Sequence, residues 1–274
     1  MTAAIRRGYV DCRFGQLHVT TARPMSVSNK PAVLCFHHSP HSAEVYRDFL
    51  PAMASDRIVH APDTPGFGQS DYPPSPPEIS DYAAAMVEFV DRLDPGPIDI
   101  VGYHTGSLIA IDVALARPNR VRKLFLVCIP VITDSERRRF EAEPWPPPIR
   151  EDGSHVMTEW QRSVTWRHPK MTTEQVAESF ARKLRGGDRA AGGGRAAFRY
   201  PTADRLPRVT QEILCINTRD DMYEITPRAA PLIRNGAMIE VEDWGFGIFY
   251  VYSRDVAARA REFFDRQPET FNEL

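Results

Sequence analysis

The sequence has few cysteines and no clustering among them. Its 274 residues include four cysteines, which are far apart and form no Cys-x-x-Cys pair. Three of them lie inside apolar stretches such as Val-Leu-Cys-Phe-His. This pattern argues against a disulfide scaffold or a cysteine-based metal centre. It favours small buried side chains in a reducing compartment.

Long apolar runs and an excess of one charge are also missing. No stretch is long enough to span a bilayer, and the first residues lack the apolar core of a secretory signal. The 34 basic and 36 acidic residues give a formal net charge of -2 and are spread along the chain, so no basic surface for nucleic acid or an anionic membrane is expected. We expect a cytoplasmic protein with a small-molecule substrate; a homodimer is possible.

Strand and helix patterns alternate along most of the chain. A hairpin is predicted around Gly15, and continuous apolar runs are typical of strands buried in a parallel sheet. One such run, 32–36, predicts a buried strand; further strands are predicted at 57–63, 98–103, 121–131, 212–217 and 237–242, and helices at 42–54, 79–93, 105–118 and 253–266. This order predicts an α/β fold with a mostly parallel central sheet flanked by helices. Functional groups should collect at the carboxyl ends of the strands.

One segment in the middle of the chain lacks buried strands. It contains a Pro-rich stretch, two amphipathic helical patterns and the Gly-rich run 185–195, which predicts a flexible connector. The second helix should be capped by Thr172 or Thr173. We predict a helical cap at 135–206, inserted into a core formed by residues 1–134 and 207–274.

Four motifs stand at the predicted strand ends. The turn Gly102-Tyr103-His104-Thr105-Gly106 is flanked by glycines, which a very sharp turn requires. The other three are Phe36–Ser42, Asp63–Asp71 and Asn217–Asp221. Together, and in this order, they resemble the α/β-hydrolase superfamily over nearly the whole chain. The resemblance implies that position 104 is the nucleophile elbow and that Asp220 is the catalytic acid.

Two of the three expected triad positions depart from the family pattern. His104 stands where the family has a serine, and Phe246 stands where the family's catalytic histidine is expected. A serine hydroxyl needs a base before it can attack, whereas an imidazole with a pKa of roughly 6.5 is largely neutral at pH 7 and needs none. We predict that the ring of His104 reaches the space of the missing histidine and hydrogen-bonds Asp220, or its neighbour Asp221.

The predicted pocket surrounds this histidine. The backbone N–H groups of Thr105 and Ser39 are candidates for oxyanion stabilisation, and His38 replaces the glycine usual in that loop. The other side chains assigned to the pocket are His37, His155, Trp160 and Phe246. No local His-x-x-x-His pair supports a zinc site, so we predict neither a metal nor a cofactor.

These inferences converge on a cofactor-independent α/β-hydrolase-fold enzyme. It would act on a small apolar or aromatic carbonyl compound by ester, lactone or carbon-carbon bond hydrolysis, with His104 as nucleophile or general base. One alternative is a lyase, isomerase or cofactor-free oxygenase that uses His104 as a base. The other is a pseudo-hydrolase that binds a ligand without catalysis. The sequence leaves the substrate and the oligomeric state open.

Overall fold

A single eight-stranded sheet organises the part of the chain that the computed structural model describes, residues 3–142 and 149–267. Its order is β1-β2-β4-β3-β5-β6-β7-β8; β2 runs antiparallel to β1 and β4, and the other neighbours are parallel. The strands are β1 (Ala4–Cys12), β2 (Gly15–Arg23), β3 (Ala32–Phe36), β4 (Val59–Pro62), β5 (Ile98–Tyr103), β6 (Val121–Val127), β7 (Glu212–Arg219) and β8 (Gly236–Gly245). The predicted α/β architecture is confirmed.

Helices cover both faces of the sheet. They are α1 (Phe49–Met53), α2 (Ile79–Arg92), α3 (Thr105–Ala116), α4 (Asp134–Ala142), α5 (Ser154–Trp166), α6 (Thr173–Leu184), α7 (Ala191–Arg199), α8 (Thr202–Arg205), α9 (Ile248–Val251) and α10 (Ser253–Asp265). Apolar side chains of α2 and α3 fill one core, and those of α1, α9 and α10 fill the other. The buried strands contribute to both cores, as expected of parallel strands covered on two sides.

Two predicted elements are wrong. The helix expected at 42–54 is split into a 3₁₀ turn, Ala43–Tyr46, and the short helix α1. Tyr46 and Phe49 both pack against Phe249, with ring centroids 4.7 and 5.5 Å from it. Tyr46 ends the 3₁₀ turn and Phe49 begins α1, so the segments on both sides of the break pack against the same aromatic ring.

The Gly-rich run is also not a flexible connector. Its last three glycines lie in the helix α7, which packs on α2 and α3, and a 3₁₀ turn at Gly187–Ala190 precedes that helix. A β-carbon at Gly193 would lie 2.0 Å from the Ser39 hydroxyl oxygen. Close packing therefore favours glycine here, despite the roughly 1 kcal/mol cost of glycine in a helix relative to alanine.

Between β6 and β7, the described residues form helices and loops. Thr172 caps α6 by accepting a hydrogen bond from the Gln175 N–H at 3.2 Å, which settles the choice between Thr172 and Thr173. The Pro-rich stretch 143–148 lies outside the described residues. The division into a core of residues 1–134 and 207–274 and a cap of residues 135–206 stays a prediction.

No described helix combines the length and apolar character needed to cross a membrane. Six parallel strands, β3 to β8, end at the same edge of the sheet. The loops that leave this edge carry the histidines and aspartates singled out from the sequence, and they meet beneath helices α4 to α7.

Candidate active site

The turn between β5 and α3 has the sharp geometry expected of a nucleophile elbow. His104 has φ 48° and ψ -111°, a region that non-glycine residues rarely occupy. A β-carbon at Gly102 would lie 2.7 Å from the Ser107 Cα, and one at Gly106 would lie 1.9 Å from the Phe36 carbonyl oxygen. Both flanking glycines are therefore required by close backbone contacts.

The elbow histidine is hydrogen-bonded to the loop after β7. His104 Nε2 lies 2.9 Å from Asp220 Oδ2, and both side chains are buried. The Asp220 carboxylate also accepts hydrogen bonds from the Thr218 hydroxyl at 2.7 Å and from the Met222 N–H at 2.9 Å. The expected contact is present, and Asp220 makes it, not Asp221.

This contact determines the charge of the ring. Burial by itself would lower the pKa of His104, but the adjacent Asp220 carboxylate outweighs it and raises that pKa well above its ordinary value. Burial disfavours the charged form of Asp220 as well, yet the His104 charge and hydrogen bonds keep the pKa of Asp220 below its usual range. Both directions favour an imidazolium paired with a carboxylate, whereas the sequence predicted a largely neutral His104 at pH 7.

Cys128 is a neighbour of this pair that sequence reasoning did not select. It follows β6 directly, has φ 56°, and its Sγ lies 3.2 Å from Thr218 Oγ1 and 3.5 Å from Asp220 Oδ2. Burial and the Asp220 charge raise the pKa of Cys128, so the group is a neutral thiol. The only clue in the sequence was its place at the end of a predicted strand.

Donor atoms of His104, Cys128 and Asp220 all lie within 4.8 Å of one another, a grouping that could hold a metal ion among the residues described. A shared metal would have to displace the proton that His104 donates to Asp220. The hydrogen bonds already satisfy these groups, and we interpret the cluster as a hydrogen-bonded one.

A cavity of about 410 Å³ opens beside His104. Aromatic rings and charged side chains make up much of its wall. The aromatic members are Phe140, Trp166, Phe180, Phe198 and Phe246, and the charged members besides His104 are Arg162, Lys183, Arg195 and Asp221. A mostly apolar wall with a few polar groups is typical of a small-molecule site.

Two further imidazoles face this cavity without partners. His38 and His41 stack with ring centroids 4.3 Å apart, and both nitrogens of His38 and Nδ1 of His41 have no hydrogen bond among the described residues. Burial lowers the pKa of His38 well below its usual value and that of His41 to about 3. Both rings are therefore neutral and can donate one hydrogen bond to a bound molecule.

Two backbone N–H groups also belong to residues that line the cavity. Thr105 is the first residue of α3, so its N–H has no partner within the helix. Neither this N–H nor that of Ser39 is hydrogen-bonded within the described chain, and both residues line the cavity. Both N–H groups are therefore open to a bound molecule, and their role in oxyanion stabilisation stays a prediction.

Three residues assigned to the pocket from the sequence lie elsewhere. The His37 ring is used in the loop, since its Nδ1 lies 2.9 Å from the His38 carbonyl oxygen and its Nε2 accepts from the Thr64 N–H. His155 Nδ1 accepts from the Arg150 N–H. Trp160 packs edge-on behind Phe180, with ring centroids 5.4 Å apart. Each is placed by a local contact that the sequence pattern does not contain.

Phe246 occupies the cavity wall where a histidine was expected. Its ring packs edge-on against His38, with centroids 5.5 Å apart. Trp166, Lys183 and Arg162 line the cavity but were not selected from the sequence. Helical periodicity predicted the helices that carry these residues, but it does not show which face of each helix lines the cavity.

Comparison with known proteins places the fold. The model of the alpha/beta hydrolase fold family matches residues 31–185, more than half of the chain. The epoxide hydrolase CorEH, solved without ligand, has a TM-score of 0.71 and 20% identity and covers 95% of this chain and 99% of its own.

Curated relatives match over shorter stretches. A haloalkane dehalogenase of Mesorhizobium japonicum is 33% identical over 91 residues, 33% of this chain and 29% of that protein. A pimeloyl-[acyl-carrier protein] methyl ester esterase of Aeromonas hydrophila is 31% identical over 97 residues, 35% of this chain and 37% of that protein. The chain thus matches about a third of the length of these relatives. With the sheet order and the elbow in place, the chain belongs to the alpha/beta hydrolase fold family.

Proposed function

We propose that this protein is a cofactor-independent hydrolase of small esters or lactones with an apolar or aromatic body. The observation that carries the proposal is the His104–Asp220 pair, which lies at the elbow beside a cavity that Thr105 also lines with an unpartnered N–H. The names of the matched relatives, a dehalogenase and an esterase, support a hydrolytic reaction.

The site suits a reaction in which negative charge develops on a carbonyl oxygen. The Thr105 and Ser39 N–H groups can donate to an oxyanion. Because Nε2 of His104 is taken by Asp220, Nδ1 is the nitrogen left for a substrate. In the imidazolium that nitrogen carries a proton, and a charged donor stabilises an oxyanion more than a neutral one.

Substrate selection would follow from the walls of the cavity. Rings of Phe180, Phe198 and Phe246 form an apolar surface, and a volume of about 410 Å³ accommodates a molecule of modest size. The unpartnered nitrogens of His38 and His41 would supply hydrogen bonds to the polar part of the substrate.

A substrate panel tests this proposal. Wild type, His104→Ala and His155→Ala would be assayed side by side against esters, lactones and β-diketones; His155 lies outside the cavity and serves as the matched control. We expect turnover by wild type and His155→Ala and its loss in His104→Ala. Equal background rates for all three proteins would contradict hydrolysis.

The same panel separates the alternatives. Deuterium exchange at the substrate carbon next to a carbonyl, without hydrolysis, would indicate a lyase or isomerase that removes a proton. Tight ligand binding that His104→Ala leaves unchanged, without turnover of any compound, would indicate a non-catalytic binding protein.

A further inference from the structure

The two consecutive aspartates after β7 have different surroundings. Asp220 is buried and points at His104, whereas Asp221 is exposed and lines the cavity. Within the described chain, the Asp221 carboxylate has no hydrogen bond or ion pair with another residue. By contrast, Glu159 on α5 contacts Arg162 at 3.2 Å and also Lys183. Asp221 is a free carboxylate beside the elbow.

Hydrolysis needs a group in the cavity that can accept a proton from water. The Asp220 carboxylate, 2.9 Å from His104 Nε2, raises the pKa of that ring, which favours its doubly protonated form and makes it a poor proton acceptor. Burial leaves His38 and His41 as weak bases, the pKa of His41 being about 3. Among the described residues that line the cavity, Asp221 remains as the group able to take the proton.

We propose that Asp221 is the general base of the hydrolysis and that His104 acts as a charged hydrogen-bond donor, an assignment that rests on the proposed function. Water attacks the carbonyl carbon while its proton passes to an Asp221 oxygen. The carbonyl π electrons move to oxygen, and the oxyanion accepts hydrogen bonds from the Thr105 N–H and from His104. Collapse breaks the bond to the leaving oxygen, which takes the proton back from Asp221. The products are an acid and an alcohol, and no acyl group is attached to the protein.

The charges around Asp221 come from several elements. Although Asp221 is open to the cavity, the protein packed around its carboxyl removes water from it and raises its pKa; the neighbouring Asp220 adds to the rise, while His104 and Arg162 on α5 oppose it. Lys183 on α6, Arg195 on α7 and the neutral imidazoles of His38 and His41 complete the wall. Two adjacent carboxyls with pKa values moved in opposite directions are typical of a split between an orienting group and a proton-transfer group.

The test compares Asp221→Asn, Asp221→Glu and the control Asp243→Asn with wild type, using 4-nitrophenyl butyrate and dihydrocoumarin as probes. Asp243 is exposed and does not line the cavity. Loss of a general base lowers kcat by about 10²- to 10⁴-fold, and we expect that loss in Asp221→Asn with little change in KM. Asp221→Glu should recover part of kcat, and Asp243→Asn should match wild type.

The pH profile of kcat/KM distinguishes this mechanism from attack by His104. With Asp221 as base and His104 as imidazolium, the rate rises with pH through the Asp221 pKa and falls through the raised His104 pKa. Attack by a neutral His104 would instead make the rate climb through the His104 pKa, and rapid-quench mass spectrometry would find an acyl adduct. Either of those results, or an Asp221→Asn rate within about threefold of wild type, overturns the assignment. A wild type that hydrolyses neither probe nor any member of the panel overturns the proposed function and the assignment with it.

Discussion

A single added carbon at Gly106 tests whether the elbow geometry is enforced by the backbone of β3. In Gly106→Ala, the new β-carbon would lie 1.9 Å from the Phe36 carbonyl oxygen and 2.4 Å from its carbonyl carbon. Ordinary contact begins at 3.4 Å, so the two segments must separate by about 1.5 Å. Backbone atoms of a central strand cannot rotate away as the end of a side chain can. We therefore expect the upper end of the cost of overpacking, about 3 kcal/mol.

Urea denaturation and thermal unfolding measure this cost. For a chain of this size, a loss of about 3 kcal/mol corresponds to a fall in Tm of roughly 6–12 °C. Gly96→Ala is the matched control, because no atom lies within 4 Å of its added carbon. A Gly106→Ala protein that loses less than about 1 kcal/mol would refute the argument that β3 and the elbow are locked together.

Three further predictions concern the His104–Asp220 pair and the N-cap of helix α6. Asp220→Asn removes the charge that outweighs burial, so NMR titration of the His104 ring should give a pKa below its ordinary value; a pKa that stays raised would contradict the pairing. The raised pKa also means that the stabilisation by His104 is fully present below about pH 6.5 and is lost as pH rises through the folded value. The free energy of unfolding should therefore differ less between wild type and His104→Gln at alkaline pH than at pH 6. A difference that grows with pH would contradict the raised pKa of His104. Thr172→Ala should cost about 1 kcal/mol in urea denaturation by removing the cap of α6, whereas equal losses in Thr172→Ala and the control Thr173→Ala would contradict the capping role.

The parallel sheet was predictable because its strands are buried on both sides. The apolar patterns of Ala32–Phe36 and of Ile98–Tyr103, which Asp99 interrupts, predicted these two strands with the bounds that the structure has. The contact between His104 and Asp220 was also within reach of the sequence, since both follow parallel strands whose carboxyl ends meet at one edge.

The helices between β6 and β7 were less predictable because their contacts are tertiary. Periodicity identified α5 and α6, but it could not tell that Trp166 would line the cavity while Trp160 packed behind it. The glycines of α7 carry low helical propensity, and packing against Ser39 outweighs it. The charge of His104 depends on a 2.9 Å contact and on burial, two opposing effects that no sequence pattern measures.

The His104–Asp220 contact also links two strands of the sheet. Its partners stand at the ends of β5 and β7, with β6 between them, so at about 4.8 Å per strand they bridge about 9.6 Å of sheet. The imidazole and the carboxylate connect the ends of β5 and β7 across the end of β6. A serine at position 104 would be too short to reach Asp220. Cys128, which follows β6 with a positive φ, lies beside this contact. The residue at position 104 therefore links two non-adjacent strands. Any replacement that breaks this link changes the stiffness of the sheet edge together with its chemistry.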